Sequence, residues 1–132
     1  MKNGIESATG VLEVTVTDEM TARLDDRQLH PVYSTFWACW HAETAARRAI
    51  EPFFEEGENA VGSALELRHL AMAKVGCHIR VEATVTQLSG RRIVCTIRIT
   101  GGNENPLLAE GVQEQTVLAE SRLQDLVSKA VM

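Results

Sequence analysis

The sequence is poor in cysteine and proline and has no long hydrophobic run. Its three cysteines, Cys39, Cys77 and Cys95, form neither a Cys-x-x-Cys pair nor a cluster with histidine. This pattern argues against a disulfide framework and a structural zinc site, so we expect reduced, mostly buried thiols. No segment reaches the roughly 20 apolar residues that cross a bilayer, and residues 1–10 lack the apolar core of a secretory signal. These absences predict a cytoplasmic protein without a membrane segment.

Positive charge is also in deficit. Lysine and arginine number 13 against 18 aspartate and glutamate residues, a formal net charge of −5. Binding to nucleic acid or to an anionic membrane needs an excess of cations, so we expect neither partner. With 132 residues, 45% of them hydrophobic and 23% charged, the chain has the composition of a globular protein and the size of one domain, residues 1–132.

Alternation of apolar and polar residues predicts five strands. They cover residues 11–17, 61–70, 77–86, 93–99 and 108–118. The third and fourth should form a hairpin around Gly90, with these side chains inward: Cys77, Ile79, Val81, Ala83, Val85, Ile93, Cys95, Ile97 and Ile99. In the second strand the alternation puts Val61, Ser63, Leu65, Leu67 and His69 on one face. Residues 18–29 are polar and irregular and predict no element, whereas residues 121–131 predict a short amphipathic helix.

Residues 34–50 predict a long helix, because they contain good helix formers and no glycine or proline. Ser34 or Thr35 can cap its first amides, and Pro52 with the acidic turn that follows ends it. Apolar side chains run nearly all the way round its first three turns. We therefore expect the helix to be enclosed by protein on most sides.

One strand, one long helix and four further strands predict an α+β hot-dog fold. In this arrangement a curved, antiparallel five-stranded sheet wraps around the central helix. A single small sheet has exposed edges, which proteins commonly cover with a second copy. We therefore expect a homodimer or a dimer of dimers.

Histidine is the natural general base near neutral pH, and the chain has four. His30, His41 and His78 are interpreted as solvated or structural. His69 differs because its predicted neighbours on the strand are core residues, and a buried imidazole needs a hydrogen-bond partner. Glu43, which we expect to be buried in the helix, is the candidate partner, although a structural ion pair would look the same.

Thr35 and Glu43 are eight residues apart, about 12 Å along a helix and about 80° around it. They cannot touch directly. Either His69 lies between them, or Thr35 belongs to a non-helical cap bent over the pocket, or one group comes from a partner chain. A capping role alone would also explain Thr35.

The sequence resembles the fluoroacetyl-CoA thioesterase-like branch of the hot-dog superfamily. The resemblance is strongest between residues 30 and 71. It is carried by His30-Pro31-Val32-Tyr33-Ser34-Thr35, Glu43, Pro52-Phe53-Phe54-Glu55-Glu56-Gly57-Glu58, Val61-Gly62-Ser63 and Arg68-His69-Leu70-Ala71. Four positions match the family's catalytic threonine, glutamate and histidine and its glycine amide, at spacings of eight, nineteen and seven residues: Thr35, Glu43, Gly62 and His69.

The resemblance implies an acyl-CoA thioesterase acting on a small or medium acyl group. It implies His69 as general base, Glu43 as the carboxylate that orients it or activates water, and Thr35 as nucleophile or water-positioning hydroxyl. The Gly62 N–H would be the oxyanion donor. Coenzyme A enters only as part of the substrate, with no cofactor or metal, and its phosphates have these candidate partners: Arg47, Arg48, Arg91 and Arg92.

The sequence also departs from the family pattern. Leu29-His30-Pro31 precedes Tyr33 where the fluoroacetate-specific member has a screening phenylalanine, and that member's late arginine is replaced near Glu114-Gln115. Fluoroacetyl specificity is therefore not expected. Two other functions fit the same fold: a non-catalytic module that binds acyl-CoA or a hydrophobic carboxylate, and an enoyl-CoA hydratase. The hydratase reading is weakened because its usual Asp/His placement in the loop before the helix is missing.

Overall fold

Helix α1 spans Thr35–Ile50 and buries a face made largely of alanine. Its N-cap is Ser34, whose Oγ accepts a hydrogen bond from the Trp37 amide at 3.0 Å. The buried side chains are Ala38, His41, Ala42, Ala45, Ala46, Ala49 and Ile50. They recur every three or four positions, which is the spacing of one side of a helix. The predicted long helix is therefore confirmed.

A computed structural model describes all 132 residues and places α1 against a curled sheet of five antiparallel strands. These strands are β1 (Thr9–Thr15), β4 (Glu58–His69), β5 (His78–Ser89), β6 (Arg92–Gly101) and β7 (Leu107–Ala119). Their spatial order is β1-β5-β6-β7-β4, so β1 and β4 are the two edges. Helix α2 (Glu120–Ser128) follows β7, and neither helix has the length and hydrophobicity needed to cross a bilayer.

The β5–β6 hairpin supplies eight of the 21 buried residues of the hydrophobic core. Gly90 lies in its turn with a φ of 62°, a conformation that favours glycine. The fully buried inward side chains are Ile79, Val81, Ala83 and Val85 on β5 and Ile93, Cys95, Ile97 and Ile99 on β6, and Cys77 packs against them. The predicted inward set is confirmed. All three cysteines are free, and burial raises the pKa of Cys95 to about 11.

Residues 18–29, for which the sequence predicted no element, contain part of a second hairpin. Strands β2 (Thr21–Leu24) and β3 (Arg27–Tyr33) form a separate two-stranded sheet. Its tight turn holds Asp25 and Asp26 at φ values of 51° and 59°, a region that aspartate tolerates better than most residues. The prediction was wrong because β3 is largely exposed and therefore lacks the apolar alternation of a core strand.

The predicted faces of β4 are correct in only one half of the strand. The pairing with β7 shifts between Gly62 and Ala64, which leaves Ser63 as an unpaired bulge residue. After the bulge Leu65, Leu67 and His69 are partly buried, as predicted. Before it, Ala60 packs on the core and Gly62 faces a helix side chain, so the predicted inward positions of Val61 and Ser63 were wrong.

Helix α1 is not enclosed on all sides within one chain. Phe36 and Trp40 are 66% and 58% exposed on the side away from the alanine face. They are one helical turn apart, so their rings form one apolar patch with the partly buried Trp37. The expectation of burial on most sides was wrong for the single chain, because the sheet covers only one side of the helix.

Gly10 sets the distance between β1 and α1. A Cβ atom added to Gly10 would overlap the Ala45 carbonyl oxygen and the Ala49 amide nitrogen. Both are backbone atoms, which cannot rotate away as a flexible side chain does. The glycine therefore lets the strand lie directly on the helix backbone.

We predict that Gly10→Ala lowers the free energy of unfolding by about 1–3 kcal/mol, because the helix must move away from the sheet. Thr9→Ala is the matched control, since Thr9 is exposed and next in the same strand. Urea unfolding of both variants measures the difference. Equal stability of the two would show that the close approach carries no energetic weight.

Candidate active site

Thr35 and His69 form the first half of the candidate site. Thr35 is the first residue of α1, and His69 is the last residue of β4. The Thr35 Oγ1 atom lies 3.0 Å from His69 Nδ1, within hydrogen-bond distance. Because Ser34 caps the helix, the Thr35 hydroxyl does not serve as the cap and contacts the imidazole instead. The geometry suits proton transfer between the hydroxyl and the ring.

A cleft of about 290 Å³ lies over this pair. Its walls are mostly apolar, and the side chains that line it beside Thr35 and His69 include Ala22, Val32, Leu70, Ala71 and Met72. An apolar cleft with a few convergent polar groups is the usual form of a small-molecule site. A second hollow of about 310 Å³, on the outer side of the sheet, is lined mainly by polar and charged residues and contains none of the candidate residues.

Glu43 and Gly62 form the second half of the site, together with Gln113 of β7. The Gln113 amide nitrogen donates to Glu43 Oε1 at 3.3 Å. A Cβ atom added to Gly62 would lie 2.9 Å from Glu43 Oε2 and 3.4 Å from the Gln113 amide nitrogen. A glycine at position 62 therefore leaves room for the carboxylate. Glu43 is exposed in the single chain, so the expectation that it is buried was wrong.

Within one chain these two halves are separate. Glu43 lies about 12 Å from Thr35 along the helix axis. Gly62 and His69 are six paired positions apart on β4, which is a distance of about 20 Å along the strand. The hydrogen-bond partner of His69 is Thr35, while its Nε2 atom is buried without one. The predicted contact between Glu43 and His69 is not made within the chain, because the helix places the carboxylate beside Gly62.

A second histidine is buried behind the Thr35–His69 pair. His41 Nδ1 and the Tyr33 hydroxyl are 2.6 Å apart, and both residues are at most 5% exposed. Burial lowers the pKa of His41, which favours its neutral form. The interpretation of His41 as a structural histidine with a satisfied partner is confirmed.

Tyr33 and Gln113 are the residues of this region that sequence reasoning did not single out. Gln113 is 1% exposed, and its side-chain oxygen is buried without a partner. The available signal was the pair of inward glutamines, Gln113 and Gln115, in the last strand, since buried amides need a specific partner. Tyr33 belongs to the motif of residues 30–35, but no local pattern indicates its contact with His41, which lies eight positions away in the sequence.

The four arginines considered for phosphate binding differ in their partners. Arg47, Arg91 and Arg92 pair with Glu51, Glu58 and Glu114, respectively. Arg48 donates to the Val11 carbonyl oxygen at 3.0 Å and has no carboxylate partner. Arg48 is therefore the one of the four whose charge no acidic side chain neutralises.

We predict that Ser34→Ala lowers the free energy of unfolding by about 0.5–2 kcal/mol, the usual cost of losing an N-cap hydroxyl. Thr35→Ala should cost less, because its hydroxyl bonds a side chain and not the helix amides. Chemical denaturation of both variants distinguishes them. A larger loss for Thr35→Ala would give that residue the structural role assigned here to Ser34.

Comparison with known proteins identifies the fold. A Thermus thermophilus protein of the thioesterase superfamily is 37% identical; its crystal structure superimposes with a TM-score of 0.89 over 94% of this chain and 90% of that one. A hot-dog-like protein from Thermanaerovibrio acidaminovorans is 22% identical and has the same fold, with a TM-score of 0.84 over 93% of this chain and 90% of the other. The predicted hot-dog fold is confirmed.

The relationship extends to a thioesterase of known substrate. The fluoroacetyl-CoA thioesterase of Streptantibioticus cattleyicolor is 28% identical over 87 residues, which span 66% of this chain and 61% of that protein. The matched region is thus less than two thirds of that relative's length. The family model for fluoroacetyl-CoA-specific thioesterases matches residues 16–121, well over half of the chain. This chain therefore belongs to the fluoroacetyl-CoA-specific thioesterase family.

Proposed function

We propose that the protein hydrolyses the thioester bond of a small acyl-CoA. The observation that carries this proposal is the 3.0 Å approach of the Thr35 hydroxyl to His69 Nδ1 in an apolar cleft. A hydroxyl paired with a histidine is the arrangement that activates a nucleophile for acyl transfer. Membership of a thioesterase family supports the same reaction.

The chemistry follows from the positions of the two side chains. His69 accepts a proton through Nδ1, either from the Thr35 hydroxyl or from a water that this hydroxyl holds. The oxygen that loses the proton attacks the thioester carbon, and the carbonyl oxygen becomes negatively charged. The backbone N–H of Gly62 is the proposed donor to that oxyanion. The thiolate of coenzyme A leaves and takes the proton held by His69. Where Thr35 is the attacking group, His69 then activates a water that hydrolyses the acyl-threonine ester and releases the carboxylic acid. No cofactor or metal takes part in the proposed reaction.

We further propose that each complete site combines two chains. Gly62 and His69 face the same side of β4, yet lie about 20 Å apart within it. The outer side of β4 has no partner strand in the chain. Pairing of residues 64–68 with the same edge of a second copy would extend the sheet and satisfy the open backbone groups there, ending before Gly62 so that its N–H stays free for the substrate.

The register of β4 supports this pairing. Strand β7 pairs Gly62 with Gln115, Glu66 with Val112 and His69 with Ala109. Because the bulge residue Ser63 has no partner, Gly62 and His69 are each three paired positions from Glu66. A two-fold axis at Glu66 would therefore set Gly62 of one chain opposite His69 of the other. The same axis would set Leu65 opposite Leu67, which joins apolar side chains on the inner face.

Exposure in the single chain is consistent with a shared site. Thr35, Glu43 and Gly62 are all exposed, whereas a reaction that develops charge is best stabilised where water is excluded. The second chain would supply both the missing carboxylate and the cover. Glu43 of the partner would then activate the attacking water.

The size of the cleft favours a small acyl group. Its volume of about 290 Å³ is near the lower limit of ligand pockets and suits a small acyl group better than a long chain. The pantetheine and nucleotide of coenzyme A would lie outside it, with Arg48 as the proposed phosphate partner. Because all three cysteines are free, we propose that the enzyme works in the reducing cytoplasm.

We predict that His69→Ala lowers kcat by about 10²–10⁴-fold, the usual contribution of a positioned general base, with little change in KM. Thr35→Ser should retain more activity than Thr35→Ala, since serine keeps the hydroxyl. Release of free thiol from a panel of acyl-CoAs measures turnover, and thermal melting gives the folded fraction. His78→Ala, at an exposed histidine of β5 away from the cleft, is the control.

Two results would overturn the proposal. Binding of acyl-CoA without thiol release by the wild-type protein would make it an acyl-binding module. Loss of enoyl absorbance without thiol release would make it a hydratase.

A second prediction tests the shared site by mixing two inactive variants, His69→Ala and Glu43→Gln. In a mixed dimer one site receives both substitutions and the other receives neither. Random mixing should therefore restore about a quarter of wild-type turnover, since half of the dimers are mixed and half of their sites are intact. Light scattering checks that dimers form. No recovery in dimers shown to exchange subunits would place all catalytic groups in one chain.

A further inference from the structure

Tyr33 lies between two histidines, behind the surface of the cleft. Its ring stacks on His41, with centroids 5.8 Å apart and planes inclined by 11°. The same ring meets His69 nearly at a right angle, with centroids 6.1 Å apart and an interplanar angle of 71°. Tyr33 is 1% exposed, so the protein interior fixes its position. It is therefore a rigid neighbour of the imidazole that contacts Thr35.

His69 has one conventional hydrogen bond where two are usual. Thr35 occupies Nδ1, whereas Nε2 is buried and has no hydrogen-bond partner. The tautomer of a histidine is normally set by the bond that its second nitrogen makes. The Tyr33 ring lies beside this imidazole, with the two planes at 71°.

We propose that Tyr33, held by His41, is a positioning residue that keeps the His69 proton on Nε2 and leaves Nδ1 free to accept a proton from Thr35. The face of an aromatic ring is electron-rich, so it attracts an N–H group and repels a nitrogen lone pair. In the proposed arrangement the Nε2 edge of the imidazole points to this face, which favours protonation of Nε2. Protonation of Nδ1 would instead turn a lone pair toward the ring.

His41 fixes the tyrosine from the other side. Burial lowers the pKa of His41 and raises that of Tyr33, with the nearby Cys39 adding to the second effect. His41 is thus a neutral acceptor and the Tyr33 hydroxyl its donor, across 2.6 Å. This bond and the stacked rings stop Tyr33 from turning its edge toward His69.

The catalytic consequence rests on the proposed function. If His69 is the base for Thr35, the reactive tautomer is the one with a free Nδ1. If His69 populated both tautomers, or if its ring were displaced by about 1 Å, kcat would fall while the cleft stayed intact.

The test is a long-range ¹H–¹⁵N spectrum of the imidazole nitrogens at about pH 8, where histidine side chains are mostly neutral. His69→Gln and His41→Gln assign the two spin systems by loss of signal. We expect both histidines to carry their proton on Nε2. The exposed His78 is the internal control, which should show the tautomer mixture of a solvated ring. A wild-type His69 that carries its proton on Nδ1, or that shows the same mixture as His78, overturns the proposal without any variant of Tyr33.

Two variants of Tyr33 separate the ring from the hydroxyl. Tyr33→Phe keeps the ring but loses the hydroxyl bond to His41, so its His69 signals should move toward a mixture less than those of Tyr33→Leu, with a smaller loss of kcat. Tyr33→Leu removes the ring, so the His69 signals should move toward a tautomer mixture and kcat should fall about 10–100-fold at nearly constant KM. A His69 spectrum that is unchanged in folded Tyr33→Leu overturns the proposal. Because the spectra do not depend on turnover, an inactive wild-type protein would refute the thioesterase function and leave the tautomer assignment intact.

Discussion

The β-bulge at Ser63 is the local feature on which the arrangement of the site depends. In a regular strand, residues an odd number of positions apart point to opposite faces, and Gly62 and His69 are seven apart. The bulge adds one unpaired residue, so both positions face the helix side of the sheet. Gly62 can then receive the Glu43 carboxylate, and His69 can reach Thr35. Without the bulge, either Gly62 or His69 would face the outer side of the sheet and would lose its contact.

The sequence was sufficient to predict the elements whose apolar pattern reports burial directly. Strand β5 up to Val85 and strand β6 from Cys95 onward alternate regularly, because one face packs in the core and the other is more exposed. The β2–β3 hairpin lies outside the five-stranded sheet, so its side chains carry no such pattern. The bulge was also beyond prediction, because Ser63 differs from its neighbours in pairing and not in hydrophobicity. Pattern analysis thus finds elements with one buried face and misses irregular or peripheral ones.

The candidate site shows the same limit at the level of side chains. The residue types came from spacing and from a family resemblance, but either Ser34 or Thr35 was able to cap the helix on sequence grounds alone. The structure gives the cap to Ser34 and turns Thr35 toward His69. Buried polar contacts such as Gln113 with Glu43 join residues 70 positions apart, so no local pattern contains them. A buried polar group without a partner costs free energy, so each such contact in the known fold marks a position where the residue type matters.

One chain holds two half-sites that are chemically complementary. The first contains a hydroxyl and an imidazole, and the second contains a carboxylate beside an exposed glycine. Neither half alone places a base, a nucleophile and an oxyanion donor within reach of one carbonyl group. In the proposed dimer the step that joins the halves also removes water from Thr35, Glu43 and Gly62, which strengthens every electrostatic interaction among them. The exposed Phe36 and Trp40 would gain from the same burial if the partner covers that side of α1. Association and completion of the active site are then driven by one set of contacts, and a separated chain would be folded but catalytically incomplete.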